Sequence, residues 1–465
     1  MPPARSSARR AAASFVVVTA LALGCSLDDR HQLTLQLGTA GNCVRTSIAC
    51  GGEVGVFVTD AKTNEVLDMR CIPFAADPTM TLEKLPLVLA DVMPPLPELA
   101  SGRSIVVEVA AYSPTSGKGC PRFSPDVGGN PAVPSYFGKS SPSAVGAAAS
   151  IAVSLQCLPT ACLPCTKLAA PTGTDPDGGV ADAGVKTPFK TAARLVSSLT
   201  AGQIGCLEDG TYAENVTFSK TGSNASPITL TAAPGAHPVL KGVLTIPDTT
   251  DYITIANLTL DGAAATTKSA SPLVRGDHVA LRGNDITNVG GDCVTLGDPS
   301  FGTAKLTDIE GNRIHGCKTG VVGHTAESGE VAHNFIFDNT GDGVALTPNG
   351  DSFTVEHDLI DGNGSGFLFG SDGKVVSIND VVRTSIISNS TVGFDVDSSY
   401  PGPVGTGNSA TQNCLWMGAK GLVVAPAKGF SAKDNTTADP MFVDRAAKDF
   451  RLMANSACQG LGPLR

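Results

Sequence analysis

The 465-residue chain is poor in aromatic side chains (5%) and in charged ones (16%), and it holds a single tryptophan. Apart from one stretch near its start, it has no apolar run long enough to approach a bilayer span. Lys and Arg number 33 against 43 Asp and Glu, and the basic residues are not gathered in one place. A formal net charge of −10 argues against nucleic acid and against an anionic membrane surface as partner. It also makes steering of an acidic polymer less natural. What the chain has in quantity is glycine (52) and proline (31), a composition that predicts many turns and short strands rather than long helices. Its length is enough for roughly two or three domains.

The one apolar stretch lies in an export signal. Arg5, Arg9 and Arg10 precede Ala11 to Leu23, a run too short to span a membrane. It ends Leu21-Ala22-Leu23-Gly24-Cys25, which resembles the lipobox of bacterial lipoproteins, with Ala22 where Leu is usual. That resemblance implies removal of residues 1–24 and lipidation of Cys25, hence a membrane anchor at the cell envelope, on the outer membrane or cell surface. Removing Cys25 from the 13 cysteines leaves an even 12 in a chain bound for an oxidising compartment, so disulfides are expected. Cys162-Leu163-Pro164-Cys165 has the spacing of a redox or zinc pair, but no second pair or nearby His completes a zinc site.

Residues 26–166 read as a small disulfide-rich β-sandwich. Strand signals include Leu33 to Leu37, Val54 to Val58, Ile105 to Val109 and Ile151 to Leu155, several of them alternating apolar with small or polar residues. Thr81 to Val92 is the one helix-like stretch, ended by prolines at 94, 95 and 97. Residues 167–186, with Asp175-Pro176-Asp177-Gly178-Gly179, read as a flexible linker. The second domain then occupies 187–465.

That domain carries a degenerate repeat. Anchored on Ile286, Ile314, Ile336, Ile360, Ile387 and Leu415, the spacings are 28, 22, 24, 27 and 28 residues. Each copy pairs two short strand signals around a polar turn with Asn, Asp or Gly, a period that predicts the coils of a parallel β-helix. Within each copy, the first and third residues after the small position are expected inward: Val294/Leu296, Val321/Gly323, Val344/Leu346, Phe367/Phe369, Phe394/Val396 and Leu422/Val424. The outward column then reads Thr295, Val322, Ala345, Leu368, Asp395, Val423, without a basic residue. Asn284, Asn312, Asn334, Asn389 and Asn413 recur near the turns, where Asn side chains bond stacked backbone groups.

The opening segments Leu207 to Tyr212 and Pro227 to Ala232, with the closing Asp439-Pro440-Met441-Phe442-Val443-Asp444, resemble the pectin-lyase-like superfamily of right-handed β-helices, which includes polysaccharide lyases of families 6 and 9. The resemblance implies a right-handed parallel β-helix over about 187–465 and a polysaccharide or cell-surface glycan as partner. Gly366-Phe367-Leu368 is similar to the family 9 segment in which Lys follows Gly-Phe as base; here Leu368 holds that place. Of that family's calcium positions, Asn339 to Ala345 keeps only Asp342. The family 6 Lys and Arg positions fall on Gly297 and Gly323. β-Elimination from a uronate needs a base and a cation, and neither known set is retained. The remaining candidates are Lys374, Lys318 and His324 as bases, and Asp372, Asp395, Asp397 and Asp342 as calcium ligands. The leading expectation is a non-catalytic or divergent polysaccharide-interacting module. Its rivals are a polysaccharide lyase with an atypical site, and a structural stalk or adhesin.

Overall fold

A computed structural model of the protein describes residues 165–175 and 188–463, except 234–235, 263–270, 301 and 454, together with separate stretches between 30 and 157. The export signal, Cys25, Cys162, the helix-like stretch 81–92 and most of the linker lie outside the described residues.

Among the described N-terminal residues, seven strands form one sheet. Its order is Thr34–Thr39, Ser150–Cys157, Tyr136–Lys139, Ser104–Tyr112, Glu53–Asp60, Val66–Pro73, with Ser143–Ala144 also pairing with Ser104–Tyr112. All neighbours are antiparallel except Thr34–Thr39 and Ser150–Cys157, which run parallel. Residues 54–59 are all buried, so this inner strand is covered on both faces. A second sheet is represented there only by the pairing of Arg30–His31 with Leu99–Ala100.

The described residues from Lys167 to Thr437 wind into a parallel solenoid of three faces. Face A has eleven strands, from Lys167–Ala169 to Phe430–Lys433. Face B has ten, from Thr211–Tyr212 to Thr436–Thr437, and face C nine, from Val216–Thr217 to Gly421–Val423. The anchors of the repeat do stack: Ile286, Ile314, Ile336, Ile360, Ile387 and Leu415 face one another rung by rung on face B and are at most 1% exposed. Two findings depart from the sequence-based picture. Lys167–Ala169, expected in the linker, is the first strand of face A, paired with Ile204–Leu207 and tied to it by Cys165–Cys206. On face C, Phe367 pairs with Val396 and Leu368 with Asp397, so Asp397 and not Asp395 continues the outward column.

The corners explain why the turns recur. Between faces A and B the chain passes through left-handed backbone at Asn257, Gly283, Gly311, His333, His357, Thr384 and Gln412. The next residue, just before the face B strand, sits inside the corner: Leu258, Asn284, Asn312, Asn334, Asp358, Ser385 and Asn413, all fully buried. In this ladder Asn284 N and Nδ2 donate to Asn312 Oδ1, and Nδ2 also donates to the Ile255 carbonyl of the coil before. Asn312 and Asn334 repeat the pattern. A buried backbone group that turns away from its sheet is satisfied in this way. Asn389 belongs elsewhere, at the left-handed corner between faces B and C, where its Nδ2 donates to Asp361 Oδ1.

Both ends of the described solenoid are elaborated. The short helix Ala192–Ser198 packs Leu195 and Val196 into the core beside the first coils. Thr191 Oγ1 caps it through Arg194 N, and the Glu214 carboxylate accepts from Ala192 N and Ala193 N. At the other end, the antiparallel hairpin Phe442–Asp444 and Asp449–Leu452 folds back over face B. Phe450 meets Phe335 and Phe337, and the tail is fastened by Cys414–Cys458 and by Arg445 on the buried Asp361 carboxylate, 2.7 Å.

Candidate functional site

Face C gathers most of the residues singled out by sequence, and its outer surface has a definite pattern. Thr295, Val322 and Ala345 point outward in one column, with Leu368 and Asp397 below. Despite that direction the first three are 5%, 5% and 2% exposed. They form a floor, flanked along the strands on one side by Asp292, Thr319, Asp342 and Ser365. Thr295 Oγ1 has no hydrogen-bond partner among the described residues. A buried hydroxyl left unsatisfied costs about 1–3 kcal/mol, which a water, an ion or a ligand reaching it would offset.

On the other side of the floor runs a column that sequence reasoning missed in part. Val274, Leu296 and Gly323 pair in register, and the residues that follow them are Arg275, Gly297 and His324. Gly297 has left-handed backbone, and a Cβ on it would collide with the Thr325 carbonyl oxygen. The middle rung is therefore bare, with a guanidinium one rung before it and an imidazole one rung after. Their backbones lie roughly 10 Å apart by rung spacing. Arg275 Nη2 is 3.2 Å from Asp298 Oδ2 in the loop beyond Gly297. The repeat could be followed only from Asn284 in the sequence, so Arg275, one coil earlier, had no column to stand in.

The remaining candidates do not converge. Lys318 and Lys374 are exposed. Asp372 lies in an exposed turn, where its Oδ1 accepts from Val375 N (3.0 Å) and Lys374 N (2.8 Å), bonds that hold its carboxyl below the ordinary range. Burial raises the Asp342 carboxyl, against a hydrogen bond with Ser365; Asp397, Lys318 and Asp292 act on it through charge. Asp397 accepts from Ser398 N. Asp395 is fully buried and turned into the corner, where Ser390 Oγ donates to it at 2.7 Å, and burial pushes its carboxyl up to about 7. It stands where Gly343 and Gly366 stand in the coils before, and Ser390 stands where Asn339 and Asn363 stand. The corner exchanges a large Asn and a Gly for a small Ser and an Asp. No group of three or more His, Cys, Asp or Glu side chains that could hold a metal ion occurs among the described residues. The four expected calcium ligands thus do not make one site.

The profile of a family described as the right handed beta helix region matches residues 273–437. Those residues are a right-handed β-helix. No curated protein sequence matches the chain. Among solved structures, the β-helix is similar to pectate lyase Pel9A, with 15% identity, TM-score 0.46, and coverage of 63% of this chain and 91% of that one. It is also similar to an alginate lyase from Paenibacillus sp. str. FPU-7 (15%, TM-score 0.33, 53% and 97%). A third is the lacto-N-biosidase from Eubacterium ramulus (12%, TM-score 0.38, 58% and 67%). Three disulfides stitch the β-helix and its tail: Cys165–Cys206, Cys293–Cys317 and Cys414–Cys458. Such bonds persist in oxidising, extracytoplasmic surroundings.

Proposed function

We propose that the protein is an exported, lipid-anchored polysaccharide-interacting module whose contact surface is face C. The observation that carries this reading is the unpartnered Thr295 hydroxyl on the floor between Arg275 and His324. Arg275 supplies a planar cation for a sugar carboxylate, Thr295 a hydroxyl, and His324 a second polar contact along the strand-stacking direction. Export is supported by the basic and apolar leader ending at Cys25 and by the disulfides.

Affinity electrophoresis of the protein through gels containing pectate, alginate or neutral glucan tests the reading. A uronate polymer is expected to retard the wild type. Arg275→Ala should weaken that retardation about 10- to 100-fold in apparent Kd, the worth of a charge-assisted hydrogen bond. Equal mobility in all gels would sink the proposal.

The Arg275–Gly297–His324 column favours one second reading, a lyase in which Arg275 neutralises the uronate carboxylate and His324 withdraws the neighbouring proton. It predicts unsaturated uronate from the same polymers, detected by ultraviolet absorbance and abolished by His324→Ala. Binding without product leaves the non-catalytic reading in place.

A further inference from the structure

The Gly-, Pro- and Asp-rich segment beyond Asp175 is bracketed on both sides by the β-helix. Before it, Lys167–Ala169 is the first strand of face A, and the chain continues along the same end of the solenoid to Asp175. After it, Pro188 and Phe189 lead directly into the helix Ala192–Ser198. The two flanks meet backbone to backbone. Ala170 N donates to the Phe189 carbonyl at 2.8 Å, Phe189 N to the Leu168 carbonyl at 2.9 Å, and Thr174 N to the Pro188 carbonyl at 3.0 Å. A Cβ on Gly173 would stand 2.4 Å from the carbonyl oxygens of both Pro188 and Phe189, so only glycine fits where the flanks touch.

Asp175 closes this base. Its Oδ1 accepts from Lys190 N at 2.8 Å, and its Oδ2 accepts from Thr191 Oγ1 at 2.7 Å, the hydroxyl that also caps the helix. Residues 176–187 therefore leave the β-helix and return to it at one point, and the contacts that fix that point lie outside them. Two covalent paths then run from Cys165 into the body of the β-helix. One is the main chain through Asp175 to Pro188. The other is the Cys165–Cys206 disulfide, whose 41-residue separation encloses the whole excursion. The strand Ser150–Cys157 and the sheet it belongs to reach both paths through residues 158–164.

We propose that the N-terminal part of the chain parts from the β-helix only after two separate events, a break in the main chain between Asp175 and Pro188 and reduction of Cys165–Cys206. Either event alone leaves the protein in one piece. In the first, water adds across a peptide bond. In the second, a dithiol exchanges with the disulfide, leaving thiols on Cys165 and Cys206 and a disulfide in the reagent. Cys165 is half-buried and Cys206 fully buried, so the attacking thiolate reaches the Cys165 sulfur. After both events, Lys167–Ala169 is an end strand paired on one side only, and its hold is that pairing and the bonds at the base. So short an edge strand gives up few contacts on leaving.

The test places the recognition sequence of a site-specific protease after Gly179 in the full chain. Cutting alone should leave one species in size-exclusion chromatography and one band on a non-reducing gel, resolved into two on a reducing gel. Reductant alone should also leave one species. Cutting followed by a dithiol should separate the N-terminal piece from a β-helix piece that keeps its β-sheet circular dichroism. The double variant Cys165→Ser, Cys206→Ser should separate on cutting without reductant, which sets aside the other disulfides; if it does not fold, the dithiol arm decides. Asp175→Ala should speed separation of the cut, reduced protein about 10-fold, through loss of its bonds to Lys190 and Thr191. Separation on cutting alone would overturn the proposal, as would a single species after cutting and reduction.

Discussion

Replacing Asp380 by Asn should stabilise the protein, and the gain should depend on pH in a defined direction. Asp380 is fully buried at the corner before face A, in line with Asn408 of the next coil. Its Oδ1 accepts from Phe353 N at 2.9 Å, but Oδ2 has no hydrogen-bond partner among the described residues. Burial, aided by the Asp351 charge, pushes its carboxyl from 3.8 to about 7. In the unfolded chain the group loses its proton near its ordinary value; in the folded protein it keeps the proton to about 7. Between these limits the folded state binds more protons, so the contribution to stability is complete in acid and is lost as pH rises. A shift of about 3 units corresponds to about 4 kcal/mol, roughly 3 of it lost between about pH 5 and pH 8. Asn has no proton to lose, and its Nδ2 can donate as that of Asn408 does to Ser377 O. Unfolding midpoints of wild type and Asp380→Asn, followed by circular dichroism in guanidinium and on heating, should diverge with pH. The variant's advantage at pH 8 should reach the order of 8 °C in Tm for a domain of this size. Asp395 titrates in the same range in both proteins and cancels in the difference. An advantage equal at pH 5 and pH 8 would refute the reasoning.

Asp358→Asn should act in the same sense, because burial raises the Asp358 carboxyl well above its ordinary range and Oδ2 stands unpartnered where Asn312 and Asn334 of the same ladder carry a donating amide; the same midpoints at two pH values check it. Phe450→Ala should cost about 3–5 kcal/mol and uncover Phe335 and Phe337, read as a lowered Tm together with increased binding of a hydrophobic dye.

Much of this was legible in residue order, and the exceptions have physical causes. The anchors Ile286 to Leu415 could be aligned because a parallel stack repeats the same side of the same corner, and apolar inward positions are the one demand every coil shares. The alignment slipped at Asp395. The exchange of Asn363 and Gly366 for Ser390 and Asp395 preserves corner volume while moving the small residue that marks the register. The covering of face B left a signal that was not used. In Phe335-Ile336-Phe337 and Ile386-Ile387 the outer positions are as apolar as the inner ones, which a strand with one solvated face does not afford. Lys167–Ala169 was missed because a three-residue strand beside a Gly- and Pro-rich segment has no period of its own; its pairing comes from Ile204–Leu207.

The first disulfide has a mechanical consequence. Lys167–Ala169 is the outermost strand of face A, and any tension arriving from the N-terminal side reaches the solenoid through it. Parallel strands at the end of a stack can be peeled off one rung at a time, each yielding separately. With Cys165 bonded to Cys206, the pull bypasses that strand and enters the next rung directly. A tether joined at this point stays fastened under load until the bond is reduced, so a reductant would soften the attachment before it unfolded the body.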